Sequence, residues 1–243
     1  MVRPPFVTKH FELQQSRAAM PVGTDGMLLG AYAAQQACQH LHRVLDIGTG
    51  TGVIPLMLLQ RAPHLKIDAI EIDEGSVCDA HHNFQNSPWK EHLHLISGDI
   101  LQYTTSESYD LIISNPPYYL DHHWSDTPSK TQAKHANTLI PSRFFRKAST
   151  LLADTAEASI LLILSTHSLS HFLEAAEVEK LFPSLLLYVS TRRGKAPTRV
   201  ITRLQRQAIS LPTEEYLDIL VGSGRHDYSE AYRQLLKPYL IIL

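Results

Sequence analysis

Cysteine is nearly missing: Cys38 and Cys78 are the only two in 243 residues, too few for a disulfide framework or a thiolate metal cluster. Long apolar runs are missing as well. The longest aliphatic stretch, 160–164, falls far short of the roughly 18–20 residues that a membrane-spanning helix needs. The opening Met-Val-Arg-Pro-Pro leads into a polar stretch rather than the apolar centre of a secretion signal. No internal repeat or low-complexity tract is present. With 44% hydrophobic residues the chain is not of the disordered class. A cytoplasmic protein is expected, with no membrane contact and nothing in the sequence to set an oligomeric state.

Histidine is plentiful, at fourteen residues, but neither of its two adjacent pairs has the i, i+4 spacing of a zinc-binding helix. The adjacent pairs His81-His82 and His122-His123 point to different sides of either a strand or a helix. No metal is expected, and most of these side chains should face solvent. Phe144, Phe145 and Tyr103 read as core residues rather than platforms for a base.

The net charge of −2 hides a partition. Between Thr127 and Ala153 there is no acid, only Lys130, Lys134, Arg143, Arg146 and Lys147. Between Lys180 and Thr213 there is again none, against Lys180, Arg192, Arg193, Lys195, Arg199, Arg203 and Arg206. The rest of the chain is strongly acidic. Segregation of this kind favours a local positive surface that a polyanion can find, provided the cations also cluster in space.

Strand and helix patterns alternate along the chain. Strands are expected over 43–47, 67–72, 93–97, 109–114 and 159–165, with helices over 53–61, 75–86, 140–152 and 169–181. Residues 185–190 and 200–207 are strand-like and suit an antiparallel pair across the basic connection 191–199. The fold class is therefore α/β, a Rossmann-like, mostly parallel seven-stranded sheet with helices on both faces and a terminal antiparallel strand. Residues 1–40 form an N-terminal element with a helix over 27–36, opened by the turn-like Gly23-Thr24-Asp25-Gly26. Residues 41–210 are the main domain. Residues 211–243 are an appendage of it, with a helix over 230–237. Both flanks are too small to fold alone and should pack on the sheet.

Asp46-Ile47-Gly48-Thr49-Gly50-Thr51-Gly52 ends the first strand and opens the first helix of that domain. Glycines at every second position permit left-handed backbone and close approach of a ligand. A dinucleotide fingerprint has two residues between its second and third glycines, whereas here there is one. An acid at Asp46 repels a pyrophosphate but can hold an ammonium group, directly or through water. An adenosyl cofactor fits better than a nicotinamide dinucleotide. Glu71, at the end of the second strand, is placed to accept ribose hydroxyls, with Asp73 as a second candidate or a helix cap. Asp99 follows the third strand and can reach an adenine amino group.

Asn115-Pro116-Pro117-Tyr118 ends the fourth strand, directly after Leu111-Ile112-Ile113. At this point the chain resembles the class I S-adenosylmethionine methyltransferases that alkylate planar exocyclic or amide nitrogens. The residue types suit that chemistry. An adenine amino nitrogen is a poor nucleophile because its lone pair is delocalised into the ring. Two acceptors on its hydrogens, the Asn115 side-chain oxygen and the Pro116 carbonyl, draw the nitrogen toward tetrahedral geometry. Consecutive prolines hold that backbone extended. Tyr118 offers a ring for stacking, worth roughly 1–3 kcal/mol per base. No strong base is needed; the main contribution is in-line positioning.

The flanks narrow the substrate. Lys9-His10-Phe11, the stretch from Gln15 to Ala31, Asn86-Ser87-Pro88-Trp89, Asn115-Pro116-Pro117-Tyr118-Tyr119 and the tail from Tyr228 to Leu236 resemble bacterial tRNA(Val) adenine-37 N6-methyltransferases. Departures are Pro21 where a lysine is usual, Ser16 where an aspartate is usual, and a longer His-rich segment after Tyr119. The resemblance implies S-adenosyl-L-methionine as cofactor and tRNA as substrate. It implies that Asp46, Gly48, Thr49, Gly50, Gly52, Glu71, Asp73, Asp99, Ile100 and Asn115 surround the cofactor, with Thr24 and Asp25 at its methionine end. The same two residues suit a helix cap equally well. Asn115, Pro116, Pro117 and Tyr118 would hold the base. The charge partition, rather than the resemblance, points to Lys130, Lys134, Arg192, Arg193, Lys195 and Arg199 for the RNA phosphates. Alternatives that share parts of the pattern are a glutamine methyltransferase acting on a release factor and an rRNA amino-group methyltransferase. A nicotinamide dehydrogenase and a catalytically silent RNA-binding module fit fewer of the residues.

Overall fold

The computed structural model describes residues 3–37, 41–116 and 140–241. Pro117, Tyr118, Lys130, Lys134 and the pair His122-His123 lie outside the described residues, as does Cys38. Short strands β1 (Phe6–Val7) and β2 (Glu12–Leu13) pair with each other near the N-terminus. Helix α1 (Thr24–Gln36) follows. Then come β3 (Arg43–Ile47), α2 (Val53–Arg61), β4 (Lys66–Glu71), α3 (Glu74–Gln85), β5 (Leu93–Ser97) and β6 (Leu111–Ser114). The second half holds α4 (Pro141–Leu151), β7 (Ser159–Ser165), α5 (Leu169–Val178), β8 (Phe182–Arg192), β9 (Arg199–Gln205), β10 (Thr213–Leu220) and α6 (Glu230–Leu236).

The strands from β3 onward form one sheet in the order β10-β8-β9-β7-β6-β3-β4-β5. Only β9 runs against the others, paired on one side with β7 and on the other with β8. The sheet is α/β and mainly parallel, as the alternating pattern predicts. It has eight strands, not seven, because β10 adds in parallel to β8 within what reads as the C-terminal appendage. The antiparallel strand β9, last of the strands read from the sequence, lies inside the sheet because it pairs with both β7 and β8. The sequence Thr213–Leu220 hides this strand because its first four residues are exposed and three of its eight are acidic. That is the composition of an edge strand, whose free side needs charge to discourage pairing with another chain.

Two apolar layers hold helices to the sheet. Val44, Ile113, Leu161, Leu187 and Ile201 pack with α1, α2 and α6 on one face. Leu45, Ile112, Ile160, Leu162 and Val200 pack with α4 and α5 on the other. Burial on both faces explains why residues 111–113 of β6 and 160–164 of β7 read as unbroken apolar runs rather than alternating ones. Helix boundaries follow local chemistry. Asp73 caps α3 by accepting from the Ser76 amide at 2.8 Å. Pro141 stands at the start of α4, where its missing N–H costs nothing. Helix α1 begins at Thr24, earlier than residue 27, so the Gly23–Gly26 stretch supplies its cap and first turn. The cap is Gly23 with no side-chain hydrogen bond, which removes the capping role from Thr24 and Asp25.

Seven strands end at one edge of the sheet, and β9 starts there. This edge carries the glycine turn after β3, Glu71 at the end of β4, Asp99 beyond β5 and Asn115 beyond β6. Chain order reverses between β3 and β6, since β4 and β5 build outward on one side and β6 returns to the other. A crevice at such a reversal is where open α/β sheets bind ligands.

Candidate active site

Gly48, Gly50 and Gly52 take φ of 73°, 58° and 81°, a left-handed backbone that other residues adopt only with strain. Their surroundings separate them. A side chain added at Gly48 or Gly50 would meet nothing within 4 Å, so both backbones face open space. One added at Gly52 would strike the ring of Phe84. Gly52 therefore serves packing, whereas the two before it leave room for a ligand. The turn is pinned from β4: the amides of Gly48 and Thr49 donate to the Ile70 carbonyl at 2.9 and 3.1 Å.

Asp46 lies beneath this turn, fully buried. Neither of its carboxylate oxygens has a hydrogen-bond partner among the described residues. Burial pushes its pKa up to about 7; the nearby Thr49 hydroxyl acts in the opposite direction and the Glu71 charge adds a smaller upward push. An acid held in low dielectric without donors is costly for the protein alone. A cation placed over the turn supplies the missing opposite charge, and the sulfonium and ammonium of S-adenosylmethionine are such cations. Donor set and open backbone thus fit that cofactor.

Glu71 does more local work than its spacing suggests. Its Oε2 accepts the Gly50 amide at 2.8 Å, and its Oε1 accepts the amides of Ile72 and Asp73 at 2.8 and 2.9 Å. Three of its roughly four acceptor positions are thereby used to tie the glycine turn to the end of β4. Asp73 spends Oδ2 on the amide and hydroxyl of Ser76. Asp99 accepts the Leu101 amide at 2.9 Å, and Ile100 is buried behind it. Ile72, which sequence reasoning passed over, exposes 56% of its surface between Glu71 and Asp73. An apolar side chain left in water at a ligand crevice offers a face for a flat ring, and its only signal in the sequence is its place between two acids.

Asn115 and the buried Pro116 follow β6 directly beside the turn, and the Ser114 hydroxyl donates to the Ile47 carbonyl at 2.7 Å. Adjacent strands therefore bring the two motifs together although 63 residues separate Gly52 from Asn115.

The basic residues divide. Arg192, Arg193 and Lys195 stand at the turn joining β8 to β9, on the same edge as the glycine turn. Arg193 meets Asp218 at 3.4 Å and is mostly exposed, and Nη1 of Arg192 has no hydrogen-bond partner among the described residues. Arg199 pairs with Asp25 at 2.9 Å, across 174 positions of sequence. That contact joins a residue expected at the cofactor to one expected at the RNA. Arg206 lies at the far end of β9, where it donates to the Ser149 and Leu152 carbonyls. The second acid-free window is thus not one patch, because β9 carries its cations across the sheet. Among the described residues no group of histidines, cysteines or acids could hold a metal, and no helix is long and apolar enough to cross a membrane.

Solved structures share this architecture. A predicted O-methyltransferase from Agrobacterium tumefaciens superposes with a TM-score of 0.68 at 16% identity, covering 88% of this chain and 96% of that one. The glycopeptide N-methyltransferase MtfA, solved with S-adenosyl-L-methionine, gives 0.56 at 9% identity, covering 77% and 100%. The methyltransferase small domain family matches residues 23–168. Fold and turn together define an S-adenosylmethionine-dependent methyltransferase. Among curated proteins, the tRNA1(Val) (adenine(37)-N6)-methyltransferase of Bacteroides thetaiotaomicron is 35% identical over the whole of both chains. Its counterpart in Aeromonas hydrophila is 36% identical over 97% of each. The chain belongs to the tRNA1(Val) (adenine(37)-N6)-methyltransferase family.

Proposed function

We propose that this enzyme transfers a methyl group to N6 of adenine 37 in a valine tRNA, in the cytoplasm. The observation that carries the reading is the placement of Asn115 and Pro116 directly after β6, the strand paired with β3, at the reversal of the sheet. S-adenosylmethionine bound there would supply a methyl on a sulfonium, which the N6 lone pair would take as the C–S electrons pass to sulfur and one N6 proton leaves to solvent. Asn115 and Pro116 accept the two amino hydrogens, and Tyr118 stacks on the purine. Asp46 balances the cofactor's positive charge, Glu71 and Asp73 hold its ribose, Asp99 and Ile72 its adenine, and Thr24 and Asp25 border its methionine end. A base inside a folded anticodon loop must first be extruded, at a cost of a few kcal/mol. Arg192, Arg193 and Lys195, with Lys130 and Lys134, meet that cost through phosphate contacts.

Mass spectrometry of tRNA nucleosides from cells with and without the gene tests the substrate. Loss of N6-methyladenosine from valine tRNA is expected. Labelled cofactor offered with total tRNA, rRNA and release factor in parallel separates the readings, and label in release factor alone would overturn the RNA assignment.

A further inference from the structure

The methyl-transfer reading leaves one set of buried polar side chains without a task. Ser76, Asp79 and Asn83 on α3 are 3%, 4% and 2% exposed. Their spacing of three and four places them on one stripe of the helix. A polar stripe turned inward must find partners, and these all find them in the same stretch of chain, residues 14–19. Asn83 accepts the Gln14 amide at 2.7 Å and donates back to the Gln14 carbonyl at 3.0 Å. Asp79 accepts the amides of Arg17 and Ala18, both at 2.8 Å. Ser76 accepts the Ala19 amide at 3.3 Å. Next to Ser76, the Arg17 carbonyl lies so close to Gly75 that any side chain there would overlap it.

The segment has neither helix nor strand at 14–22, so α3 side chains take the place of a ladder for its backbone. One member of the stripe does more. The Asn83 amide nitrogen also donates to the Thr51 carbonyl at 2.8 Å, inside the glycine turn. The Gly48, Thr49 and Gly50 amides of that turn donate to β4, at Ile70 and Glu71. Asn83 thus joins the turn to the N-terminal strap through a single side chain. A turn containing three glycines has many conformations to lose, and each one removed beforehand lowers the cost of binding.

We infer that Ser76, Asp79 and Asn83, with the gap at Gly75, seat the strap 14–19, and that Asn83 is a positioning residue for cofactor binding. The inference rests on the glycine turn being the cofactor cradle. Its signature is a rise in cofactor Kd and KM with little change in kcat at saturation. A residue acting through stability alone would shrink the active fraction, lowering kcat at constant KM.

Calorimetry with S-adenosylhomocysteine, steady-state kinetics with tRNA, and amide exchange at 14–19 test this in Asn83→Ala, Gly75→Ala and Gly50→Val. Both α3 variants should raise Kd and KM about tenfold, keep kcat within about twofold, and speed exchange at 14–19. Gly75→Ala keeps every hydrogen-bonding group, so it carries the test if Asn83→Ala does not fold. A fall in kcat at unchanged KM, or free exchange at 14–19 with unchanged Kd, overturns the inference. Lost binding in Gly50→Val alone overturns only the strap; unchanged binding in Gly50→Val overturns the cradle and the strap with it.

Discussion

Two aspartates stand at opposite ends of one strand pair. Asp110 enters β6 and accepts the amides of His42 and Arg43 at 2.8 and 2.9 Å. Asp46, near the end of β3, accepts no hydrogen bond from the described residues and is fully buried. The end with the satisfied acid also opens a cavity of about 600 Å³, lined by Gln36, Leu41, Asp110, Glu157 and Arg203. Asp110 spends Oδ2 on closing the start of the strands, whereas the Asp46 oxygens are buried with no hydrogen-bond partner among the described residues.

The largest test of this contrast is at the crevice itself. Asn115→Ala should lower kcat by about 10³-fold while cofactor Kd stays within a few fold, since it removes an acceptor used chiefly in the transition state. Equal loss of binding and rate would make Asn115 a cofactor residue instead. Next comes Asp46→Asn. Its folded pKa, raised to about 7 from 3.8, means the native state binds more protons than the unfolded chain between those values. Asp46 therefore contributes stability below pH 4 that is lost as pH rises through 7, up to about 4 kcal/mol. In the free enzyme the asparagine variant should flatten that slope and melt higher than wild type at pH 8. It should also bind cofactor about tenfold more weakly, because the balancing charge is gone. A wild-type melting temperature independent of pH between 5 and 8 would deny the buried charge.

Smaller effects are expected at the cations. The double substitution Arg192→Ala, Arg193→Ala should weaken tRNA binding and lower its salt slope by about 1–2, with cofactor Kd unchanged. Arg206→Ala, whose guanidinium is spent on carbonyls at the other end of β9, should leave that slope as it was. An unchanged slope in the double variant would move the RNA surface elsewhere. Smallest of all is Asp110→Asn, which keeps an accepting oxygen for His42 or Arg43. Stability should drop by no more than about 1 kcal/mol, with cofactor binding untouched.

Much of the crevice is legible in sequence because its parts are local. Asp46 to Gly52 is one continuous turn, and Asn115-Pro116 follows an apolar strand that cannot be mistaken. What escapes notice is whatever depends on partners far along the chain. The strand at β10 is too acidic to suggest a sheet until β8 is beside it. Asp79 and Asn83 look like ordinary helix-surface polars until the strap covers them. Asp25 and Arg199 carry no mark of their pairing.

Sequence alone determined the alternation of strands and helices from β3 to β9 and the glycine-rich turn after β3, since backbone sterics and side-chain chemistry act over a few neighbours. Only the tertiary structure decided that the turn and Asn115 share one edge, that Asp46 lacks donors while Asp110 has them, and that the cations part company along β9. Burial and electrostatic pairing depend on distance in space, and the parallel sheet sets that distance by drawing strands from all along the chain into register.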